Sequence, residues 1–303
     1  MLADLQFARR QPARSPGLTA LAVLMLAVGG RAGEAGASPL ASARQQFDAG
    51  RYREARAALE PIVAAEPRNA EAVFYLGWAA FRLNQPEESV KLLEKATALD
   101  GTRSLYFAVL GDAYGVMTGQ ASFFAKPGWA RKCLAAYDKA VALDPDNLDA
   151  RTSRMNYYWH VPAIAGGGMD KAYAEAGEIR RRDPVRGAQT LADLLASEKK
   201  YPEAFAVIDG LIANDPGNMP ARNQLGRLCA ITGRQLDRGA AALQVYLGYS
   251  PQGREPGLAA AHWRLGMIQE KRGDRDAART EYEAALQLAP GFAMARDALA
   301  KLR

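Results

Sequence analysis

Histidine and cysteine are scarce in this chain: its 303 residues hold two of each. His160 and His262 do not fall four apart, the spacing that lets two helical histidines share a zinc ion. Cys133 and Cys229 make neither a metal nor a redox spacing. No Gly-x-Ser-x-Gly elbow, P-loop or dinucleotide glycine fingerprint occurs. Gly166-Gly167-Gly168 lacks the preceding strand and the following Lys-Ser/Thr that phosphate binding requires. Asp and Glu are scattered without an acid pair. The sequence therefore predicts no enzyme, no cofactor and no metal site. Zinc-finger and homeodomain patterns are missing as well. Thirty-nine Lys and Arg stand against 33 Asp and Glu, interleaved, for a net charge of +6. The longest basic run, Arg180-Arg181-Arg182, precedes Pro184, where cations complement the negative end of a helix dipole. A nucleic-acid partner is not expected.

Apolar stretches are short too. Leu18 to Val28 is apolar except for Thr19, a run of 11 residues. A bilayer span takes about 20. Arg9, Arg10 and Arg14 precede this run, and a small-residue stretch with Ala35-Gly36-Ala37 follows it. That three-part order predicts a secretory signal peptide over residues 1–37, cut before Ser38. The expectation is an exported, periplasmic protein of the bacterial cell envelope with no stable membrane span after cleavage. An uncleaved anchor is the alternative. Hydrophobic residues make up 49% of the chain and charged residues 24%, so it is globular rather than disordered.

What is abundant is regularity. Pro67, Pro145, Pro184, Pro216, Pro251 and Pro290 each close a helix-like stretch, and Gly101 fills the gap after the first. Successive spacings are 34, 44, 39, 32, 35 and 39 residues. A period in that range marks units that bury their apolar faces against their neighbours. Within residues 70–103, Leu76-Gly77 lies in a first helix, Asn84-Gln85-Pro86 makes a turn, and Ser89, Leu93 and Ala96 lie along a second helix. The pattern returns as Leu265-Gly266, Gly273-Asp274, Ala278, Tyr282, Ala285 and Pro290. It also appears as Ala43, Gly50-Arg51-Tyr52, Ala55, Leu59 and Pro67. A small residue at place 8 lets the first helix approach the second, and small residues at places 20 and 27 do the same from the other side. Glycine near place 15 permits the positive φ of a tight helix end. Proline at place 32 stops the second helix.

This chain resembles the tetratricopeptide repeat family. The resemblance implies an all-α, right-handed α-solenoid of about seven helix pairs over residues 38–303, plus a C-terminal capping helix. The repeats are 36–69, 70–103, 104–147, 148–186, 187–218, 219–256 and 259–292, with the cap over 292–303. The middle repeats are degenerate: Met155 and Leu194 take place 8, and only Gly226 keeps it small. In such an array Cys133 and Cys229 lie too far apart for a disulfide and read as core residues.

Two repeats are overlong. Insertions near 118–130 and 161–168 fall between the paired helices, which predicts that both project from one rim. Phe123, Phe124 and Trp129 would then approach Trp159, Pro162 and Ile164. Two readings stay open: the aromatics pack on one another, or they form an anchor for a partner. The glycine triplet is read as a plain turn rather than a flexible lid. By the resemblance, the first helices line a concave groove. Its groove places carry Phe74, Trp78, Phe81 and Arg82, then Asp112, Asn156, Trp159 and His160, and finally Asn223, Arg227, Trp263 and Met267. Such a mixture suits an extended peptide. The Lys/Asn/Lys/Arg clamp for a peptide C-terminus is not reproduced. The expected function is a protein- or peptide-binding scaffold in the envelope. The alternative is a small-molecule-binding component of an envelope transport system.

Overall fold

The computed structural model describes residues 38–253 and 255–302. The signal-peptide reading of residues 1–37 lies outside them. Among the described residues all regular structure is helical. Helix packing divides the chain into two compact units, one ending at Ser153 and the other starting at Arg154. The first unit pairs α1 (Pro39–Asp48) with α2 (Tyr52–Ala65), α3 (Ala70–Arg82) with α4 (Pro86–Leu99), and α5 (Ser104–Gln120) with α6 (Lys126–Leu143). The division falls inside α7 (Leu148–His160). In the second unit follow α8 (Met169–Arg182), α9 (Pro184–Ser197), α10 (Tyr201–Asn214), α11 (Met219–Thr232) and α12 (Leu236–Leu247). It ends with α13 (Leu258–Lys271), α14 (Arg275–Leu288) and α15 (Ala293–Lys301), the last packed on α14 as the cap.

Four of the hairpins are closed by one recurring contact. A Cβ added at Gly77 would lie 2.9 Å from the Leu92 Cβ and 3.0 Å from the Leu93 Cγ. At Gly111 and Gly266 it would meet the rings of Tyr137 and Tyr282 at 2.5 Å, and at Gly226 the Leu243 side chain at 2.3 Å. Leu93, Leu243 and Tyr282 are fully buried and Tyr137 almost so. The missing side chain on the first helix is thus the space that a large side chain of the second helix fills. In the degenerate repeats Met155 and Leu194 stand where that glycine would be, both buried. There α7 is tied to α8 instead by the Arg154–Glu175 ion pair at 2.5 Å.

The periodic prolines work with asparagine. In Pro67-x-Asn69, Pro145-x-Asn147 and Pro216-x-Asn218 the proline ends one helix and the asparagine caps the next. The Asn69, Asn147 and Asn218 Oδ1 atoms accept from the backbone N–H of Ala72, Ala150 and Ala221 at 2.9 to 3.1 Å. Such a cap contributes about 1 kcal/mol. Pro184 does something different. It is the first residue of α9, whose cap is the Asp183 carboxylate accepting from the Arg186 N–H at 2.9 Å. Asp183 also ends α8, so α9 starts three residues before the repeat boundary expected at 187. Proline suits that first helical place because its missing N–H is not needed there.

The turns inside hairpins take the left-handed conformation at Gly50 (φ 76°) and Gly273 (φ 85°), as the period predicts. Asn84 and Lys199 adopt it too, at φ 61° and 62°. The ten-residue insertion of repeat 3 is mostly helix: α5 and α6 have 17 and 18 residues against 13 and 14 in α3 and α4. The repeat 4 insertion is a wound turn. Gly168 N–H donates to Tyr158 O at 2.8 Å, and Tyr157 OH donates to Ala165 O at 2.7 Å. A Cβ at Gly167 would sit 1.7 Å from Val161 O, so only glycine fits there. These bonds make the glycine triplet a plain turn.

Cys133 and Cys229 are both free and buried. Burial pushes the Cys133 thiol up to about 12 and the Cys229 thiol up to about 11. The thiolate is the reactive form. Native protein at pH 8 is therefore expected to yield no thiol to a disulfide-exchange dye within minutes, and two after denaturation. A fast native titer of one or two would contradict the burial.

Candidate functional site

Within each unit the first helices of neighbouring hairpins touch: α1 with α3 and α3 with α5, then α9 with α11 and α11 with α13. In each unit they form an inner layer, and many of the residues expected to bind a partner lie on one or the other.

In the first unit that layer is aromatic. Trp78 is half-buried, with its ring centroid 4.7 Å from Phe47 and 5.3 Å from Phe74. Phe74 is fully buried and stacks on Tyr106 at 4.1 Å. Tyr75 joins the cluster, and the Arg44 guanidinium lies 5.3 Å from its ring centre. Phe81 is half-buried on the same helix. Asp112 on α5 accepts from Tyr137 OH at 2.9 Å and from Ser153 Oγ at 3.2 Å. Its carboxylate thus ties α5 to α6 and to the start of α7. Burial and this carboxylate push the Tyr137 hydroxyl well above its ordinary pKa, so it remains a donor.

The aromatics of the first insertion separate into two environments. Trp129 is half-buried against Tyr114 at 5.8 Å, with Lys132 Nζ 5.0 Å over its ring. Lys132 and Tyr114 OH both reach Glu94, at 3.2 and 2.6 Å. Phe123 and Phe124 face outward, 83% and 92% exposed, touching each other edge to face at 5.6 Å. Removing water from such a pair is what makes an aromatic anchor favourable.

In the second unit Trp159 is half-buried and stacks on the exposed His160 at 4.5 Å. Lost hydration lowers the His160 pKa, so the ring is neutral at pH 7. Asn156 is half-buried, and Ile164 on the turn is 99% exposed. Further along, the inner layer becomes polar. Asn223 is fully buried. Arg227 pairs with Asp193, and Gln224 donates to Gln189 at 2.9 Å. Arg264 Nη1 donates to Asn223 Oδ1 at 2.8 Å. The structure thus brings Asn223 and Arg227, expected from sequence, into one cluster with Arg264, which sequence reasoning missed. Its signal was a charged residue immediately before Leu265-Gly266, on a stretch where Ala261, Leu265 and Ile268 are buried. Trp263 packs on Phe292 of the cap at 5.9 Å.

Among the described residues no group of His, Cys, Asp and Glu is arranged to hold a metal ion, and no helix is long and apolar enough to cross a membrane.

Two tetratricopeptide repeat family models match the chain, over residues 40–103 and 259–292. A search of curated proteins finds no match. Among solved structures, a tetratricopeptide repeat protein from Parabacteroides merdae aligns over 87% of this chain and 96% of its own, at 17% identity and a TM-score of 0.59. Yeast Tom70 aligns over 92% of this chain and 58% of its own, at 15% identity and a TM-score of 0.65. At these identities the structural likeness concerns the fold, and it agrees with the glycine-locked hairpins described above. The chain thus carries tetratricopeptide repeats near both ends, and the helical hairpins between them share the fold of such proteins.

Proposed function

We propose that this protein is a non-enzymatic scaffold that holds another protein through an extended segment of it, in the bacterial cell envelope. The observation that carries this reading is the inner layer of first helices. It offers partly exposed aromatic side chains in the first unit (Tyr75, Trp78, Phe81) and partly exposed guanidinium groups in the second (Arg227, Arg264). Each kind of surface suits an extended peptide: flat apolar surface takes its side chains, and hydrogen-bonding groups take its backbone. Phe123 and Phe124 add an apolar anchor at the tip of the α5–α6 hairpin. The envelope setting rests on the order of charge, apolar run and small residues in 1–37.

The test is affinity capture from an envelope fraction, comparing wild type with a Phe124→Ala, Trp159→Ala double variant. Phe124 is almost fully exposed and Trp159 half-buried, so the double variant is expected to lose more in partner capture than in stability. Capture of the specific partner is expected to fall about tenfold or more, as for loss of an aromatic hot spot. Equal capture by both proteins would remove the aromatic rim from the binding surface.

A further inference from the structure

Every Phe, Tyr and Trp among the described residues is buried or half-buried, except two. Phe123 and Phe124 are 83% and 92% exposed, side by side at the tip of the α5–α6 hairpin. That tip stands clear of its neighbour. Gly111 meets Tyr137 as Gly77 meets Leu93, so the α3–α4 and α5–α6 hairpins match at that contact. α5 and α6 have 17 and 18 residues against 13 and 14 in α3 and α4, and both extra turns lie between the contact and the tip. The tip therefore reaches about 6 Å farther than that of α3–α4, at 1.5 Å per helical residue. Residues 122–128 are all exposed.

The charges of the tip have one sign. No Asp or Glu occurs between Asp112 and Asp138, the longest such gap among the described residues, and Lys126, Arg131 and Lys132 fall inside it. Lys132 is engaged by Glu94 and lies over Trp129, which is half-buried at the base of the tip. Arg131 Nε donates to Pro127 O at 3.3 Å, and among the described residues neither Arg131 nor Lys126 forms an ion pair. A stable protein interface covers about 800 Å² on each side, far more than a projecting turn offers. A bilayer closes around a projecting side chain of any shape. It takes aromatic rings at the headgroup boundary and, when anionic, draws Lys and Arg to its surface.

We propose that the α5–α6 tip binds an anionic lipid bilayer. Phe123 and Phe124 enter the boundary between headgroups and acyl chains, and Lys126 and Arg131 meet the lipid phosphates. This goes beyond the scaffold reading: the inner layer holds the protein segment, and the tip holds the scaffold to a membrane.

The full chain is mixed with vesicles of phosphatidylglycerol or of phosphatidylcholine and sedimented. The wild type is expected to bind phosphatidylglycerol about tenfold or more tightly, and to lose that margin in high salt. Phe123→Ser with Phe124→Ser is expected to weaken binding to phosphatidylglycerol about tenfold or more, and so is Lys126→Glu with Arg131→Glu. All four side chains are exposed, so both variants are expected to melt as the wild type does. Residues 1–37 carry an apolar run of their own, so insertion is also read at the tip. A polarity-sensitive dye on Ser122→Cys, the native cysteines being buried, is expected to shift its emission to the blue on phosphatidylglycerol vesicles. A dye that stays in water while the protein sediments would overturn the proposal, as would equal sedimentation of the wild type and the serine variant. If the serine variant keeps its lipid binding but no longer captures a protein from a detergent-solubilised envelope fraction, the tip belongs to a protein instead. No protein partner enters the vesicle experiments, so their failure leaves the scaffold reading standing.

Discussion

Gly187→Val is expected to lower the thermal midpoint of the second unit by about 6–12 °C, corresponding to ~3 kcal/mol or more. Gly187 lies one turn into α9, where α9 crosses α8. A Cβ there would sit 2.1 Å from the Arg180 Cα and 2.4 Å from the Arg180 N. Carbon atoms in contact rest about 3.5–4.0 Å apart. Both obstacles are backbone, which no change of side-chain rotamer moves aside, so the two helices must separate. That separation propagates, because α9 also packs on α10 and α11. Gly177 on α8 and Gly210 on α10 provide the control. Both are exposed, with nothing within 4 Å of an added Cβ. Gly177→Ala and Gly210→Ala are expected to raise stability by about 0.5–1 kcal/mol each, since alanine loses less backbone freedom in a helix. A valine variant that melts within about 2 °C of wild type would show that α8 and α9 do not approach as described.

The second large effect is expected from Ala96→Asp in the first unit. Ala96 is 0% exposed on α4, one turn beyond the buried Leu93. Leaving a polar group there without a partner costs about 1–3 kcal/mol even when neutral, and an ionised carboxylate costs more. The variant therefore has a pH signature. Burial raises the folded-state pKa of the introduced group above its unfolded value near 3.9. The extra destabilisation relative to wild type is absent below the unfolded pKa. It grows as pH rises from there and levels off above the folded pKa. Chemical denaturation of both proteins at pH 4 and pH 7 reads it directly. A stability difference that does not depend on pH would mean that the side chain escapes to water.

The features visible in the sequence were those with a fixed place in the period. Gly77, Gly226 and Gly266 sit at place 8 because a large side chain of the partner helix needs the room, and steric need of that kind repeats with the repeat. The lengthened third repeat was visible as an interval of 44 residues. Its outcome was not, because spacing does not say whether extra residues extend helices or form a loop. Asn84 and Lys199 were missed as left-handed turn residues because glycine was the expected occupant, although short or flexible polar side chains tolerate that region at modest cost. The Pro-x-Asn caps were missed for another reason. Proline drew attention to where a helix stops, while the start of the next one, two residues later, is fixed by a side-chain hydrogen bond. Asn223 and Arg227 were found from their groove places. Arg264 was not, because its place lies off the set the family resemblance supplies, and only three-dimensional packing sets it against Asn223. The division at residue 153 left no mark in composition, since it cuts through an unbroken helix.

The glycine locks also bear on how quickly the chain reaches its native state. Gly77 and Leu93, Gly226 and Leu243, and Gly266 and Tyr282 each meet across a short stretch of chain, while Gly111 and Tyr137 close a longer one. The entropy of closing a flexible loop rises by only ~0.6 kcal/mol for each doubling of its length, so even the longest of these is slowed about twofold. Searching for such a contact takes well under a microsecond. Nucleation is thus available independently at several points along the chain, and the rate is left to the slower docking of one finished hairpin on the next.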